Sequence, residues 1–414
     1  MRHGIEDRCP GVLRLHAAQD GGLARVRLPG GMLGRRQLRA LAAAAALGSD
    51  IVELTARAGV QIRGVSDRSE ADLERILRAG GLIPSVTHDR VRNVLASPLG
   101  GRHADALTQT DAVVAALDRL LCADPRLAAL PGRFLFEVDD ASGIGRTTDP
   151  GHTAPDVTLL AIGSRASARP RLRLVLGGFQ TDLVRSQAAA PGLAIAAAGA
   201  FLARREELAS DAWHLADLPD GPAHVAACLG GTIRRLEVQP AGRRPAGVGV
   251  TRQADGRHAV CGLARLGRLD SAQLDGLAEV STSPGGIRVS PWRTITVVDV
   301  PAGDAAATAA ALAEIGLELG PGSPWVGLSA CAGRGACASA RIDVRSLAAR
   351  RAASGRAAGE TEHWSGCERR CGEPGGAQIT VAPRAAEIAV RIGGVERLVG
   401  TPAEVVAALA AEGG

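Results

Sequence analysis

The chain contains no tyrosine and no lysine, and aromatic residues make up 2% of its 414 positions. With almost no aromatic faces for bases to stack on, and with arginines dispersed rather than clustered, a nucleic-acid partner is not expected. The formal net charge of +5 suits a small anionic ligand instead. Long hydrophobic runs are also missing. Ala40–Leu47 and Ala188–Ala203 are too short to span a bilayer, and the second contains Pro191 and Gly192. No apolar leader opens the sequence, and the eight cysteines do not form a disulfide framework. A soluble protein of the reducing cytoplasm, with no membrane partner, is therefore expected. No G-x-G-x-x-G follows a strand, so a dinucleotide domain within the chain is not expected either.

What is present is length enough for two or more hydrophobic cores. Alanine, glycine and arginine dominate, partly as compositional bias. Cys9, Cys122, Cys228 and Cys261 stand alone, and buried packing is the expected role of each.

Along the chain, Gly22–Leu28 reads as a strand and Leu33–Leu47 as a helix, and Asp50–Thr55 and Val60–Val65 read as strands. A similar order returns late. Gly256–Leu263 is a strand, Gly267–Leu269 its turn, Ser271–Leu277 opens a helix, and Gly285–Val289 leads into another strand. Gln37-Leu38 with Leu41-Ala42 matches Gln273-Leu274 with Leu277-Ala278, and Gly59–Arg63 matches Gly286–Ser290 after a deletion of nine residues. Each copy is too small to bury a core alone, so the two are expected to pair about a pseudo-twofold axis.

A longer α/β segment follows each copy. In the first, Ser69–Arg78 (capped by Ser69), Thr110–Leu121 and most of Thr181–Leu208 read as helices. Arg90–Ala96, Phe134–Val138, Val157–Ile162 and Leu172–Leu176 read as strands. Arg235–Ala246 is the expected linker. In the second, Thr294–Val300, Trp325–Ser329, Gln378–Val381 and Ile388–Ile392 read as strands, and Ala305–Ile315 and Ala336–Ala349 as helices. A last helix is capped by Thr401, Pro402 and Glu404. The expected fold is thus α+β, with duplicated half-domains at 1–68 and 243–300 and α/β domains at 69–234 and 301–414.

Four cysteines occupy the second α/β segment in two pairs. Cys331 and Cys337 are spaced C-x5-C, Cys367 and Cys371 C-x3-C, and 29 residues separate the pairs. Thiolates on loops of small residues suit an iron–sulfur cluster, because small residues let backbone N–H groups approach the sulfides. Zinc is the alternative, although its four-cysteine sites usually show tighter knuckles than the first pair.

These cysteine motifs, the duplication and His-Trp-Ser-Gly-Cys-Glu-Arg-Arg-Cys-Gly at 363–372 resemble the nitrite/sulfite reductase superfamily. The resemblance runs from about Cys9 to Ile392. Within that superfamily the chain resembles the precorrin-3B synthases of the aerobic cobalamin pathway. The resemblance implies one [4Fe–4S] cluster on Cys331, Cys337, Cys367 and Cys371. Thr55–Gln61 is similar to the family's T-x-R-x-x-x-Q element, which implies an anion-binding role for Arg57 and Gln61, and Arg92-Asn93-Val94 is similar to a second such element. Where the reductases carry two lysines spaced K-x-K, this sequence has Arg133 and Leu135. Reduction of sulfite or nitrite needs several protons delivered at the site, so the loss of these lysines favours the oxygenase branch. That branch implies precorrin-3A and dioxygen as substrates, hydroxylation at C20 with γ-lactone formation, a separate non-haem iron and NADH as reductant. NADH is expected to act through an electron-donating reductase. Sirohaem belongs to the reductase alternative, and a non-catalytic metal-stabilised module is a further one. The substrate is a polycarboxylate, and guanidinium forks bind carboxylates bidentately. Arg57, Gln61, Arg63, Arg92, Arg133 and Arg293 are the expected substrate contacts. The iron's ligands are unplaced, and His16, His88, His103, His152 and His363 are each expected to be surface or internally satisfied residues.

Overall fold

A computed structural model of the chain describes residues 9–144, 154–164, 169–235, 247–281, 286–374, 377–384 and 387–412. His152 and nearly all of the expected linker lie outside these residues.

The first unit contains β1 (His16–Ala18), β2 (Gly21–Val26), β3 (Met32–Leu33), α1 (Arg35–Ala45), β4 (Ile51–Leu54), β5 (Val60–Val65) and α2 (Glu70–Ala79). In α1 the residues Leu38, Leu41, Ala42 and Ala45 recur at helical spacing and are buried. The next domain contains β6 (Val94–Ala96), α3 (Asp111–Ala123), β7 (Phe136–Asp139), β8 (Val157–Ile162), β9 (Arg171–Leu176), β10 (Phe179–Ser186), α4 (Ala190–Glu207), α5 (Gly221–Cys228) and β11 (Ile233–Arg235).

The pattern then repeats. The third unit contains β12 (Gly249–Arg252), β13 (His258–Leu263), β14 (Arg268–Asp270), α6 (Ser271–Val280), β15 (Ile287–Val289), β16 (Thr294–Val300) and α7 (Ala305–Glu314). The last contains β17 (Leu328–Ala330), α8 (Val344–Ala353), β18 (Glu362–Trp364), β19 (Ile379–Arg384), β20 (Glu387–Ile392), β21 (Val395–Val399) and α9 (Pro402–Glu412).

The two half-domain sheets run β1-β2-β5-β4-β14 and β12-β13-β16-β15-β3. Each is completed by a strand from the other copy. Arg268, Leu269 and Asp270 pair with Glu53, Val52 and Ile51, while Met32 and Leu33 pair with Arg288 and Ile287. Helices α1 and α6 pack together, and one apolar core runs through both copies. The expected pseudo-twofold arrangement is therefore the observed one. Its register differs from the sequence match: β15 occupies the place of β4, and β16 that of β5. Gly59–Arg63 thus corresponds to the start of β16 rather than to Gly286–Ser290, and no nine-residue deletion is needed. Gly267–Leu269 is not simply a turn, because Arg268 opens the exchanged strand. Leu73 and Leu77 of α2 and Leu312 of α7 are buried in this shared core. Boundaries at 68 and 300 would leave each half-domain without its second helix.

The two α/β sheets are also related. One has the order β11-β10-β9-β8-β7-β6 and the other β17-β18-β19-β20-β21. In both, the first three strands in chain order are parallel and the rest antiparallel. Residues 181–186 belong to β10 rather than to a helix, and α8 begins at Val344 rather than Ala336. The second shift has a local cause. Residues 336–341 are held as turns, including Cys337 N–H to the Gly333 carbonyl at 3.1 Å, and Asp343 caps α8 by accepting from Ser346 N at 3.2 Å. Ser69 makes no capping bond to α2; its hydroxyl meets Ser66. The capping box at Thr401 and Glu404 is formed in both directions.

Candidate functional site

The carboxyl ends of parallel strands are where open α/β sheets present ligands, and there the cysteines lie. Cys331 directly follows β17 and donates its N–H to the Trp364 carbonyl at 3.0 Å. Gly366, just past β18, donates its N–H to Cys331 Sγ at 3.1 Å. Gly366 has no room for a side chain, since a Cβ would come within 2.8 Å of Ala340 Cβ. Gly333, Gly335 and Gly372 all sit at positive φ around the thiols. Burial pushes the Cys371 thiol up; Arg369 opposes this, while Cys367, Cys331 and Cys337 push it further. The four sulfurs are therefore close enough to interact electrostatically. Among the described residues, however, no three His, Cys, Asp or Glu side chains form a group that could hold a metal ion. A single zinc bound at about 2.3 Å would draw its sulfurs to within about 4 Å of one another.

Beneath the Cys371 turn lies His363, fully buried on β18. Its Nδ1 is 2.8 Å from Ser329 Oγ, and its Nε2 has no hydrogen-bond partner. Burial, with Arg293 and Arg370 adding to it, holds the imidazole down at about 3 against a smaller opposing effect of the Cys371 backbone. It is a neutral ring. Arg293 approaches from the β15–β16 turn. Burial lowers its pKa, and Glu53 opposes the shift. Glu53 also binds Arg345 and lies 3.9 Å from Arg268. A cluster of arginines therefore surrounds one carboxylate beside the cysteine domain.

A second basic centre lies across the first half-domain. A cleft of about 200 Å³ is lined by Arg25, Arg27, Thr55, Arg57, Arg92 and Asn93, among others. Arg57 donates from Nη1 to the Arg133 carbonyl at 2.9 Å. Arg25 donates to Gln61 Oε1 at 2.7 Å, its cross-strand neighbour in the β2–β5 ladder. Buried Arg27 donates to Asn93 Oδ1 at 2.8 Å, and burial pulls its pKa down to about 10. Both Arg25 and Arg27 reach Cys9 Sγ, at 3.4 and 3.3 Å.

The expected contacts therefore divide. Arg57, Gln61 and Arg133 cluster at or beside this cleft, and the exposed Arg133 also stacks 4.5 Å over the Trp213 ring. Arg92 lines the cleft, but its fork is bidentate on Asp118, at 2.8 and 2.7 Å. Arg63 is likewise committed to Asp20, at 2.8 and 3.0 Å, and to the Ala336 carbonyl at 2.5 Å, so it ties the half-domain to the cysteine loop. Arg293 lies apart, beside that loop. Arg25, Arg27, Arg268 and Arg345 were not singled out by motif. Arg25 and Arg27, two residues apart at the end of one strand, were the available signal.

Cys9 is half-buried between two arginines and Cys228 is exposed, so buried packing describes neither; Cys261 is buried. His88 is satisfied by Ser85 Oγ and the Asp124 carbonyl, His16 is exposed, and His103 faces Asp105. Among the described residues no helix is long and apolar enough to cross a membrane.

The nitrite/sulfite reductase ferredoxin-like half domain matches this chain twice, over residues 16–80 and 251–315. The fold agrees with that of the solved NirA protein of Mycobacterium tuberculosis: TM-score 0.71, 21% identity, 94% of this chain and 79% of that one. Together these findings show the fold: a duplicated nitrite/sulfite reductase ferredoxin-like half-domain in an α+β chain. Among curated proteins, a precorrin-3B synthase from a Sinorhizobium species is 25% identical over 388 residues, 92% of this chain and 81% of the relative.

Proposed function

We propose that this chain is an oxygen-dependent precorrin-3B synthase, which hydroxylates precorrin-3A at C20 and closes the γ-lactone. The 25% identity to a curated precorrin-3B synthase supports this reading. The observation that carries it is Leu135. It is 1% exposed and packs with Ala58 and Leu95, under the turn that holds Arg57. Where the reductases carry a proton-donating lysine, this chain has a dry apolar contact. Such a contact delivers no protons, and a multi-proton reduction beside it is disfavoured.

The remaining groups suit a polycarboxylate substrate. Arg57 and Arg25, with Gln61 between β2 and β4 in the sheet, offer guanidinium and amide donors on one side of the cleft. Arg133 supplies a further exposed cation. Arg63 and Arg92 are already paired and hold the half-domain against its neighbours.

Cys331, Cys337, Cys367 and Cys371 would hold a [4Fe–4S] cluster. Four mutually interacting thiols are the usual donor set for it, and the Gly366 N–H donated to Cys331 Sγ and a loop with no room for a Cβ at Gly366 suit it. A raised thiol such as Cys371 is stabilised as thiolate when iron shares its charge. When bound, the cluster supplies one-electron transfer. The described residues do not fit the separate non-haem iron, since they present no group of histidines and carboxylates that could hold it. One oxygen atom enters the substrate and the other leaves as water, with two electrons from NADH through a partner reductase and two protons, one released by NADH and one from solvent.

The test is anaerobic incubation with precorrin-3A and a reductant, followed by admission of oxygen and mass analysis. A product heavier by one oxygen atom is expected. The half-domain match keeps sirohaem-dependent reduction of sulfite or nitrite as the second reading. Haem-type bands in the anaerobically purified protein, with no oxygenated product, would overturn the proposal in its favour.

A further inference from the structure

Two polar side chains meet at the Cys371 turn without satisfying one another. His363 Nε2 is buried and has no hydrogen bond of ordinary geometry, although the Cys371 backbone acts on the ring. The Arg293 guanidinium has no side-chain hydrogen bond or ion pair among the described residues, although Glu53 acts on it at longer range. Both reach the same point: a Cβ on Gly372 would lie 3.7 Å from Arg293 Nη2 and 3.8 Å from His363 Cε1. Gly372 itself sits at φ +83°.

The chain accepts strain to place Arg293 there. This non-glycine residue has φ +63°, in the left-handed region. Ser290 holds the turn through its Oγ, which accepts from Trp292 N at 3.2 Å and Thr294 N at 3.3 Å. Gly267 clears the path, because a Cβ there would come within 2.4 Å of Arg293 Cδ. A surface arginine needs none of these provisions. On the other side, Ser329 Oγ lies 2.8 Å from His363 Nδ1 and 3.2 Å from the Glu362 carbonyl.

We propose that Arg293 and His363 are positioning residues that set the reduction potential of the cluster from its Cys371 side. Arg293 is a fixed cation, and His363 Nε2–H donates to a sulfur of the cluster or of Cys371. This rests on the reading that the four cysteines hold a cluster. A cluster that accepts an electron gains negative charge, and a nearby cation or N–H donor favours the reduced form. It also revises the expected role of Arg293, since a cation that serves the cluster acts whether or not substrate is present.

The experiment is an EPR-monitored redox titration of substrate-free protein, with iron and acid-labile sulfide measured on each sample. At the wild-type midpoint, Arg293→Met should lower the reduced-to-oxidised ratio about tenfold, which corresponds to about 59 mV for a one-electron couple. Arg293→Lys should restore most of it. His363→Leu should also lower the ratio, and His363→Gln, which keeps an N–H donor, should lower it less. If Arg293→Met assembles no cluster, Arg293→Gln serves as the charge-removing variant. Unchanged potentials in clusters of full iron and sulfide content would overturn the proposal and leave the cluster intact. A shift that Arg293→Lys fails to restore would assign the effect to packing and overturn it equally. Wild-type protein without iron and sulfide would overturn the underlying reading instead.

Discussion

The turn between β4 and β5 and the turn between β15 and β16 are the same structure used twice. In the first, Thr55 Oγ1 accepts from Arg57 N at 3.3 Å and from Gly59 N at 3.1 Å, and Ala58 has φ +52°. In the second, Ser290 Oγ accepts from Trp292 N and Thr294 N, and Arg293 has φ +63°. The hydroxyl and the left-handed residue are retained, while the arginine moves by one position. In the first copy it precedes the left-handed residue and reaches the Arg133 backbone in the cleft. In the second it is the left-handed residue and reaches toward His363. One turn thus sets an arginine at the cleft in one copy and beside His363 in the other.

The α/β domains contrast in the same way. After β17 and β18 the loops carry cysteines bridged by Gly366 N–H to Cys331 Sγ. After β6 and β7 the loops carry Gly101 and Asp140, joined by Gly101 N–H to Asp140 Oδ2 at 3.0 Å. The acceptor changes loop between the copies: the thiol follows the first parallel strand, β17, and the carboxylate the second, β7.

Breaking this contrast has its largest effect at sulfur. Cys371→Ser should lose most iron and sulfide and abolish turnover, whereas Asp140→Ala should keep the full complement and destabilise the fold by about 1–3 kcal/mol through its unpaired N–H donors. Metal analysis and denaturant melts check both; full iron in Cys371→Ser would remove that ligand. Next, Leu135→Lys buries an unpaired ammonium against Ala58 and Leu95 and should cost roughly 3 kcal/mol or more. An unchanged urea midpoint would show that the site is wet.

The third prediction separates the arginines. Arg57→Ala should weaken precorrin-3A binding by on the order of 1.5–3 kcal/mol, roughly 10- to 150-fold in Kd. Arg293→Ala should leave that Kd nearly unchanged, and equal losses in both variants would erase the distinction. The smallest effect is one of acidity. His363 is held at about 3, below its ordinary value near 6.5, so the unfolded chain takes up a proton that the native ring refuses. Its contribution is constant above about pH 6.5, and stability falls as the pH drops from there toward 3. Wild-type protein should lose on the order of 2 kcal/mol more than His363→Gln between pH 7 and 5, read from urea melts.

The periodic elements were legible because period is what a sequence displays: α1, β5, β8 and β16 fall where their apolar spacing puts them. The exchanged strands were not. Met32–Leu33 and Arg268–Asp270 are too short to show a period, and their partners lie far along the chain. Ala336–Ala349 is rich in helix-favouring alanine and arginine, yet the cysteine loop takes its first residues. At the site, motif located Arg57, but it gave no warning that Arg63 and Arg92 were committed. Their carboxylate partners lie 43 and 26 residues away, and only the fold brings them within reach.

The exchanged strands β3 and β14 carry a consequence for ancestry. A chain half this long, with one half-domain and one α/β domain, would expose the edge of its fourth strand as bare backbone. Two such chains would cover both edges by trading arms, which is domain swapping in a symmetric homodimer. Covalent fusion then freed the copies from identity. One could keep its thiols and the other lose them, and an interface between equals became a division of labour within one polypeptide.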